Sequence, residues 1–148
     1  MKRVLMMHGI NHNMFGHRDP NFYGTITYEE INESLKETAA ELGVELEIFQ
    51  SNCEGTFVEK VHEAFLTKVD GVLVNPGGWT NYALGVMDAL AILKAPWIEI
   101  HMANTFKKHN GTVNGMTTKL ASGIVIGLGK HSYNIALRAL VELMNNVE

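Results

Sequence analysis

The feature that most constrains the fold of this chain is an alternation, repeated five times, of short β-rich apolar runs with longer segments of helical period. Arg3–Met7 is the first run, and its near-continuous hydrophobicity is that of a parallel strand buried on both faces. Thr27 then reads as the N-cap of a helix running to Gly43. Glu30 completes a capping box, and Ile31, Leu35, Ala39 and Leu42 form the apolar stripe. Val44–Phe49 alternates as a more exposed strand does, and Glu54–Thr67 is predicted as a helix with Phe57, Val61, Ala64 and Phe65 inward.

Gly71–Val74 is a third, fully apolar strand that stops at Asn75-Pro76-Gly77-Gly78, which continues neither ladder nor helix. A helix over Asn81–Leu93 and a strand over Trp97–Ile100, ending at His101, come next. A polar loop spans Ala103–Thr118. Gly123–Ile126 is the fifth strand, and Ser132–Met144 the closing helix, with Ile135, Leu137, Leu140 and Val141 as core. This order predicts one α/β domain over 1–148: a doubly wound, five-stranded parallel sheet with helices on both faces.

Composition narrows the function. A net charge of −4 with no basic run longer than a pair argues against nucleic acid and anionic membrane as partners. No apolar stretch reaches the roughly 18 residues of a spanning helix, and the N-terminus lacks a signal-peptide core. The lone Cys53 excludes an intrachain disulfide, points to a reducing cytoplasm, and reads as a small packed side chain. Met6, Met7, Met14, Met87 and Met144 read as core filler.

In open α/β sheets ligands sit beyond the carboxyl ends of the strands. There this sequence puts His8, Asn11, His12, Asn13, His17, Arg18 and Tyr23 after strand one, and Gln50, Ser51, Asn52 and Glu54 after strand two. Asn75, Gly77, Gly78 and Asn81 follow strand three, and Glu99, His101 and Asn104 close strand four. Such a rim of amides and imidazoles suits a hydroxylated, weakly anionic small molecule. The connection from His8 to Gly24 far exceeds the usual length of about 2–6 residues, and we read it as an active-site lid. Gly127-Leu-Gly-Lys-His-Ser132 looks superficially like a phosphate loop but has the wrong spacing, so it reads as structural. No carboxylate cluster accompanies the seven His, which argues against a metal.

Acid–base chemistry remains. A free tyrosine is a poor base at neutral pH, but a nearby guanidinium favours its phenolate, and Arg18 and Tyr23 share the lid. His101, at the end of a buried strand, is placed to act as the opposing acid. The alternative stays open at this point: Tyr23 packing the loop and His101 a satisfied strand-end residue.

The ordered motifs resemble the type II 3-dehydroquinate dehydratases over nearly the whole chain. The family's opening Asn-Gly-Pro-Asn-Leu-Asn-x-Leu-Gly-x-Arg-x-Pro-x-x-Tyr-Gly corresponds to His8 through Gly24 without a gap. Gln50–Gly55, Asn75–Thr80 and Glu99–Asn104 are similar to three further family motifs. The resemblance implies a flavodoxin-like fold and an anti elimination of water from 3-dehydroquinate, through an enolate, to 3-dehydroshikimate. It implies Tyr23 as base, Arg18 stabilising its phenolate, His101 as acid, Glu99 orienting that acid, and Asn11 holding a water at the enolate. Asn75, Asn81, Met102, Ala103, Lys108 and Thr112 would contact substrate, and Asp88 would reach a neighbouring subunit's site. No cofactor or metal is implied. Trimers assembled into a dodecamer are, as is a place in the shikimate pathway of aromatic amino-acid biosynthesis or in quinate catabolism.

The departures fall on substrate binding. The family's first Asn is His8 here, its Pro is Ile10, its substrate-binding His is Asn81 and its Ser is Ala103. In the second long loop its two Arg fall at Lys108 and Thr112. Losing one charge-assisted contact costs on the order of 1.5–3 kcal/mol, so several together would weaken the reaction or move it to another polyhydroxy cyclic ketone. A catalytically silent binding or regulatory paralogue is a further alternative, and a flavin- or nucleotide-binding flavodoxin-like module is another, although no loop here suits a phosphate.

Overall fold

The structure, a computed structural model, describes residues 1–108 and 115–146. Among them, β1 (Arg3–His8), β2 (Glu45–Gln50), β3 (Gly71–Asn75), β4 (Trp97–His101) and β5 (Gly123–Ile126) form one parallel sheet in the order β2-β1-β3-β4-β5. The helices are α1 (Pro20–Tyr23), α2 (Tyr28–Leu42), α3 (Glu54–Leu66), α4 (Leu84–Leu90), α5 (Thr105–Lys108) and α6 (His131–Asn145). This is the strand order of flavodoxin-like sheets.

Alternation along each strand sorts the core into two layers. Val4 and Met6 of β1, Leu73 of β3 and Ile98 and Ile100 of β4 meet Ile31, Leu35 and Ala39 of α2 and Leu137, Leu140 and Met144 of α6. Leu5, Met7, Val72, Val74 and Trp97 point the other way, onto Phe57 and Val61 of α3 and Val86 and Leu90 of α4. Each fully buried side chain of this kind contributes roughly 1.5–3 kcal/mol. The capping box predicted at Thr27 and Glu30 is present, and Gly43 closes α2 with φ 68°.

Several sequence expectations are corrected. The helix expected over Asn81–Leu93 is instead a 3-10 turn, Gly77–Asn81, followed by the shorter α4. Burial of Trp79 edge-on to Phe57, with centroids 5.1 Å apart, bends the chain there and delays the helix. The expected loop Ala103–Thr118 contains α5, whose start is capped by Asn104 Oδ1 accepting from Lys107 N–H at 3.3 Å, and ends in a 3-10 turn at Thr118–Leu120.

Phe65 and Ile135 are exposed, because the inward stripes are Phe57–Val61–Ala64 on α3 and Tyr133–Leu137–Leu140–Met144 on α6. Val141 sits half-buried at the margin of the latter stripe. Met14 lies on the lid's outer side at 47% exposure, so it fills no core. Cys53 is exposed at the start of α3 rather than packed. There the Thr56 hydroxyl and the first-turn N–H groups hold its thiol below the usual range.

Two buried features carry stability. A Cβ on Gly71 would lie 2.7 Å from Met144 Sδ and within 3.1 Å of both Leu140 methyls, since α6 crosses directly over the start of β3. Gly71→Ala is therefore expected to lower the unfolding free energy by about 1–3 kcal/mol, read by chemical denaturation. His8 is fully buried at the end of β1, its Nε2–H donating to Asn32 Oδ1 at 2.8 Å and its ring edge-on to Tyr28. Burial pushes its pKa from 6.5 down to about 4, against the opposing pull of the Asn32 bond. The unfolded chain thus takes up this proton first, and stability present above pH 6.5 is lost as the pH falls toward 4, by about 3 kcal/mol from His8 alone. Melting temperature should drop across that window, and His8→Asn should flatten the slope; an unchanged slope would refute the assignment.

Candidate active site

The crevice opens where the strand order reverses, between β1 and β3. Register places His8 level with Gln50 on one side and Asn75 on the other, so the three strand ends form one floor. Gly9 leaves that floor with its N–H shared between the Asn75 carbonyl at 2.8 Å and His12 Nδ1 at 3.0 Å. A Cβ there would lie 2.6 Å from the Pro76 carbonyl oxygen, so only glycine lets the two loops touch. Asn11 turns the chain with φ 67°, and its N–H donates to Asn52 Oδ1 at 2.8 Å. Gln50 Nε2 adds a bond to the Gly9 carbonyl at 3.1 Å. The Gln-Ser-Asn segment after β2 is thus a brace for the lid.

An aromatic stack lines the lid's inner side. The buried His12 ring lies flat on Phe15, with centroids 4.7 Å apart, and Phe15 is 5.9 Å from Tyr23. The Arg18 guanidinium carbon lies 4.1 Å from the Tyr23 ring centroid. Burial, then the charges of His8, Arg18 and His101, hold the His12 pKa well below its ordinary value, so this imidazole is neutral.

The opposite wall is built on β3 and β4. Asn75 Nδ2 donates to the buried Tyr133 hydroxyl at 2.8 Å while Asn75 Oδ1 accepts from Gly77 N–H at 3.2 Å, which fixes the amide. Glu99 and His101 project from the same face of β4, and His101 Nε2–H donates to Glu99 Oε2 at 2.9 Å. The Thr117 and Thr118 hydroxyls donate to the same carboxylate. Burial raises the Glu99 pKa, but the bond and charge of His101 and the two hydroxyls outweigh it and leave the group below the usual carboxylate range.

These walls enclose a cavity of about 220 Å³. Of the residues predicted from sequence, it brings together Arg18, Tyr23, Asn75, Asn81, His101, Met102 and Ala103. Glu99 stands behind His101, fully buried. Asn11 and Asp88 do not line the cavity; Asp88 is exposed on α4. Thr112 lies outside the described residues, and Lys108 is placed only as the last residue of α5.

Sequence reasoning missed Phe15, Phe106, Ile124, Ile126 and Thr118, which also line the cavity, and the contacts of Thr117 and Tyr133. Only the adjacent Thr117-Thr118 pair at the end of the second long loop offered any signal. In the Gly127–Ser132 loop the N–H groups of Gly127 and Gly129 go to the carbonyls of His101 and Met102, in keeping with a structural loop. Among the described residues no three of His, Cys, Asp or Glu converge as metal ligands. The arrangement is a cation over a phenol ring on one wall and a carboxylate-held imidazole on the other, two groups able to carry protons facing one small volume.

The sequence profile of the family described as Dehydroquinase class II matches residues 2–141. The 3-dehydroquinate dehydratase of Syntrophotalea carbinolica is 47% identical over 144 residues, covering 97% of each chain. That of Pelobacter propionicus is 46% identical, covering 98% of this chain and 97% of its own. The crystal structure of the type II dehydroquinase from Propionibacterium acnes superposes with a TM-score of 0.91 at 31% identity, over 96% of this chain and 97% of that one. By fold, by cavity and by full-length similarity, the chain belongs to the class II dehydroquinase family.

Proposed function

We propose that this protein is a hydro-lyase that removes water from 3-dehydroquinate to give 3-dehydroshikimate. The convergence of Arg18, Tyr23 and His101 on one cavity carries the reading. The Tyr23 phenolate oxygen takes the proton from the carbon beside the substrate ketone, and the released electron pair makes an enolate. The Arg18 guanidinium carbon, 4.1 Å from the Tyr23 ring centroid, keeps a positive charge beside this base. As the enolate collapses, the C–O bond on the far side breaks, and His101 protonates the departing hydroxyl so that it leaves as water. The two proton transfers cancel once Tyr23 returns its proton and His101 regains one through solvent. Glu99 orients His101, and Asn75, Asn81 and the Met102–Ala103 segment hold the ring. Asn11, Lys108 and Thr112 belong to the same reading, Asn11 as holder of the enolate water. No cofactor is called for in these steps.

A second reading, the same chemistry on another cyclic ketone, is favoured by one observation. The wall beyond His101 is apolar, made of Met102, Ala103, Phe106, Ile124 and Ile126. Among the described residues it offers a ring fewer side-chain hydrogen bonds than a heavily hydroxylated substrate would use.

The reading extends to a homo-oligomer of trimers assembled into a dodecamer. Tyr82, Leu84 and Ile92 are exposed apolar groups on and beside α4, next to Asp88, which would reach a neighbouring subunit's site. It also includes a cytoplasmic location, where the Cys53 thiol stays reduced, and a step of the shikimate pathway.

Two measurements test this. Turnover followed by the ultraviolet band of the conjugated enone should fall about 100–10,000-fold in Tyr23→Phe and in His101→Gln. A wild-type protein that is folded yet inert toward 3-dehydroquinate would sink the substrate assignment. Light scattering should return a mass well above that of one chain, and a monomer would refute the assembly.

A further inference from the structure

Thr117 is fully buried at the return of the second long loop. Its hydroxyl donates to Glu99 Oε1, and that of Thr118 to Glu99 Oε2, beside the His101 Nε2–H bond. An ionised carboxylate only accepts, so the single Thr117 proton points at Glu99. The Thr117 oxygen must then accept from Thr80 Oγ1, 2.8 Å away. Met116 N–H donates to the Thr80 carbonyl at 2.8 Å, which pins this segment to the 3-10 turn after β3. Gly115 completes the arrangement: a Cβ there would collide with Thr118 Oγ1 and lie 3.3 Å from Thr80 Oγ1.

We propose that Thr117 and Thr118 are positioning residues, a hydroxyl clamp that fixes Glu99 against His101 and keeps the proton of that pair on the imidazole. The imidazolium–carboxylate pair and the neutral pair contain the same proton, and burial favours the neutral one. Every hydroxyl donated to the carboxylate tips the balance back toward the charged pair. The difference matters chemically, because an imidazolium gives up a proton to a leaving hydroxyl far more readily than a neutral imidazole does. Thr80 acts one step further out, by orienting Thr117. The catalytic half of this inference rests on the dehydratase reading; the clamp itself does not. Among the described residues the titratable and charged groups around His101 are Glu99 on β4, His12 and Arg18 on the lid and Tyr23 on α1, and the variants below alter none of them.

The test is the charge state of the His101 ring in the resting protein, at pH values where the pair still holds its shared proton, read from the ring nitrogen shifts by NMR on labelled histidine and assigned by loss of the signal in His101→Gln. Thr117→Val keeps the side-chain shape and removes the donor. It should move the ring nitrogens toward the shifts of a neutral imidazole and cut kcat about tenfold, with KM within about twofold. Thr117→Ser should restore both. Gly115→Ala, which removes no hydroxyl but displaces that of Thr118, should move the nitrogen shifts the same way. Unmoved nitrogen shifts in folded Thr117→Val overturn the clamp, as does an equal change in Thr117→Ser, which would trace the effect to the methyl group. Should Thr117→Val fail to fold, Gly115→Ala decides alone, a change toward neutral imidazole supporting the clamp and unmoved shifts overturning it. If wild type does not turn over 3-dehydroquinate, the dehydratase reading falls while the nitrogen shifts still judge the clamp.

Discussion

Parallel pairing of β1 with β3, level at His8 and Asn75, is the constraint on which the rest of this structure depends. It sets the two loops after these strands side by side, close enough for Gly9 N–H to reach the Asn75 carbonyl. From that contact the lid departs in one direction and the 3-10 turn carrying Trp79 and Thr80 in the other. A slip of one residue in this register would turn the apolar set of β1 to the opposite face and separate the loops. The cavity is therefore a consequence of strand pairing, with the lid adding Arg18 and Tyr23 to a floor that exists without them.

Its electrostatics follow from burial. Two imidazoles under the lid, His8 and His12, are held neutral because nothing nearby stabilises their charged forms enough. Glu99 is as deeply buried and yet ionised, because three donors meet its two oxygens. Burial pushes all three groups toward their neutral forms, and at Glu99 the partners outweigh it. That separation sets an ionised carboxylate directly behind the imidazole that lines the cavity, the kind of arrangement found where a site moves protons.

The residues in which this chain departs from the family's motifs are tolerated for distinct physical reasons. His8 fills the space beside Tyr28 and Tyr133 with an aromatic edge, and Asn32 satisfies one ring nitrogen while the other has no partner among the described residues. Ala103 and Asn81 remain on the cavity wall, where a smaller or shorter side chain is accommodated without disturbing the fold. These substitutions alter the lining, whereas His101 ends a strand of the sheet and the lid carries Arg18 and Tyr23.

Much of this was legible from the amino acids alone. Period-two and helical apolar patterns located the five strands and the long helices α2, α3 and α6, because local backbone geometry dictates which side chains share a face. The Thr27 capping box, the stop at Gly43 and the candidate Arg18, Tyr23 and His101 were readable for the same reason: each is carried by a short run of neighbours. What periodicity could not supply were consequences of distant packing. Trp79 inserts beside Phe57 and shortens α4 at its start, and the choice among Ile135, Tyr133 and Val141 for the inner side of α6 depended on where β3 and β4 lie beneath it. The donors on Glu99 come from a segment 18 and 19 residues further along the chain. Sequence determined which elements form and which residue types reach the strand ends. Only the tertiary structure decided which of them touch, since hydrogen bonds and ring contacts between distant segments are set by the sheet's register and carry no local periodicity.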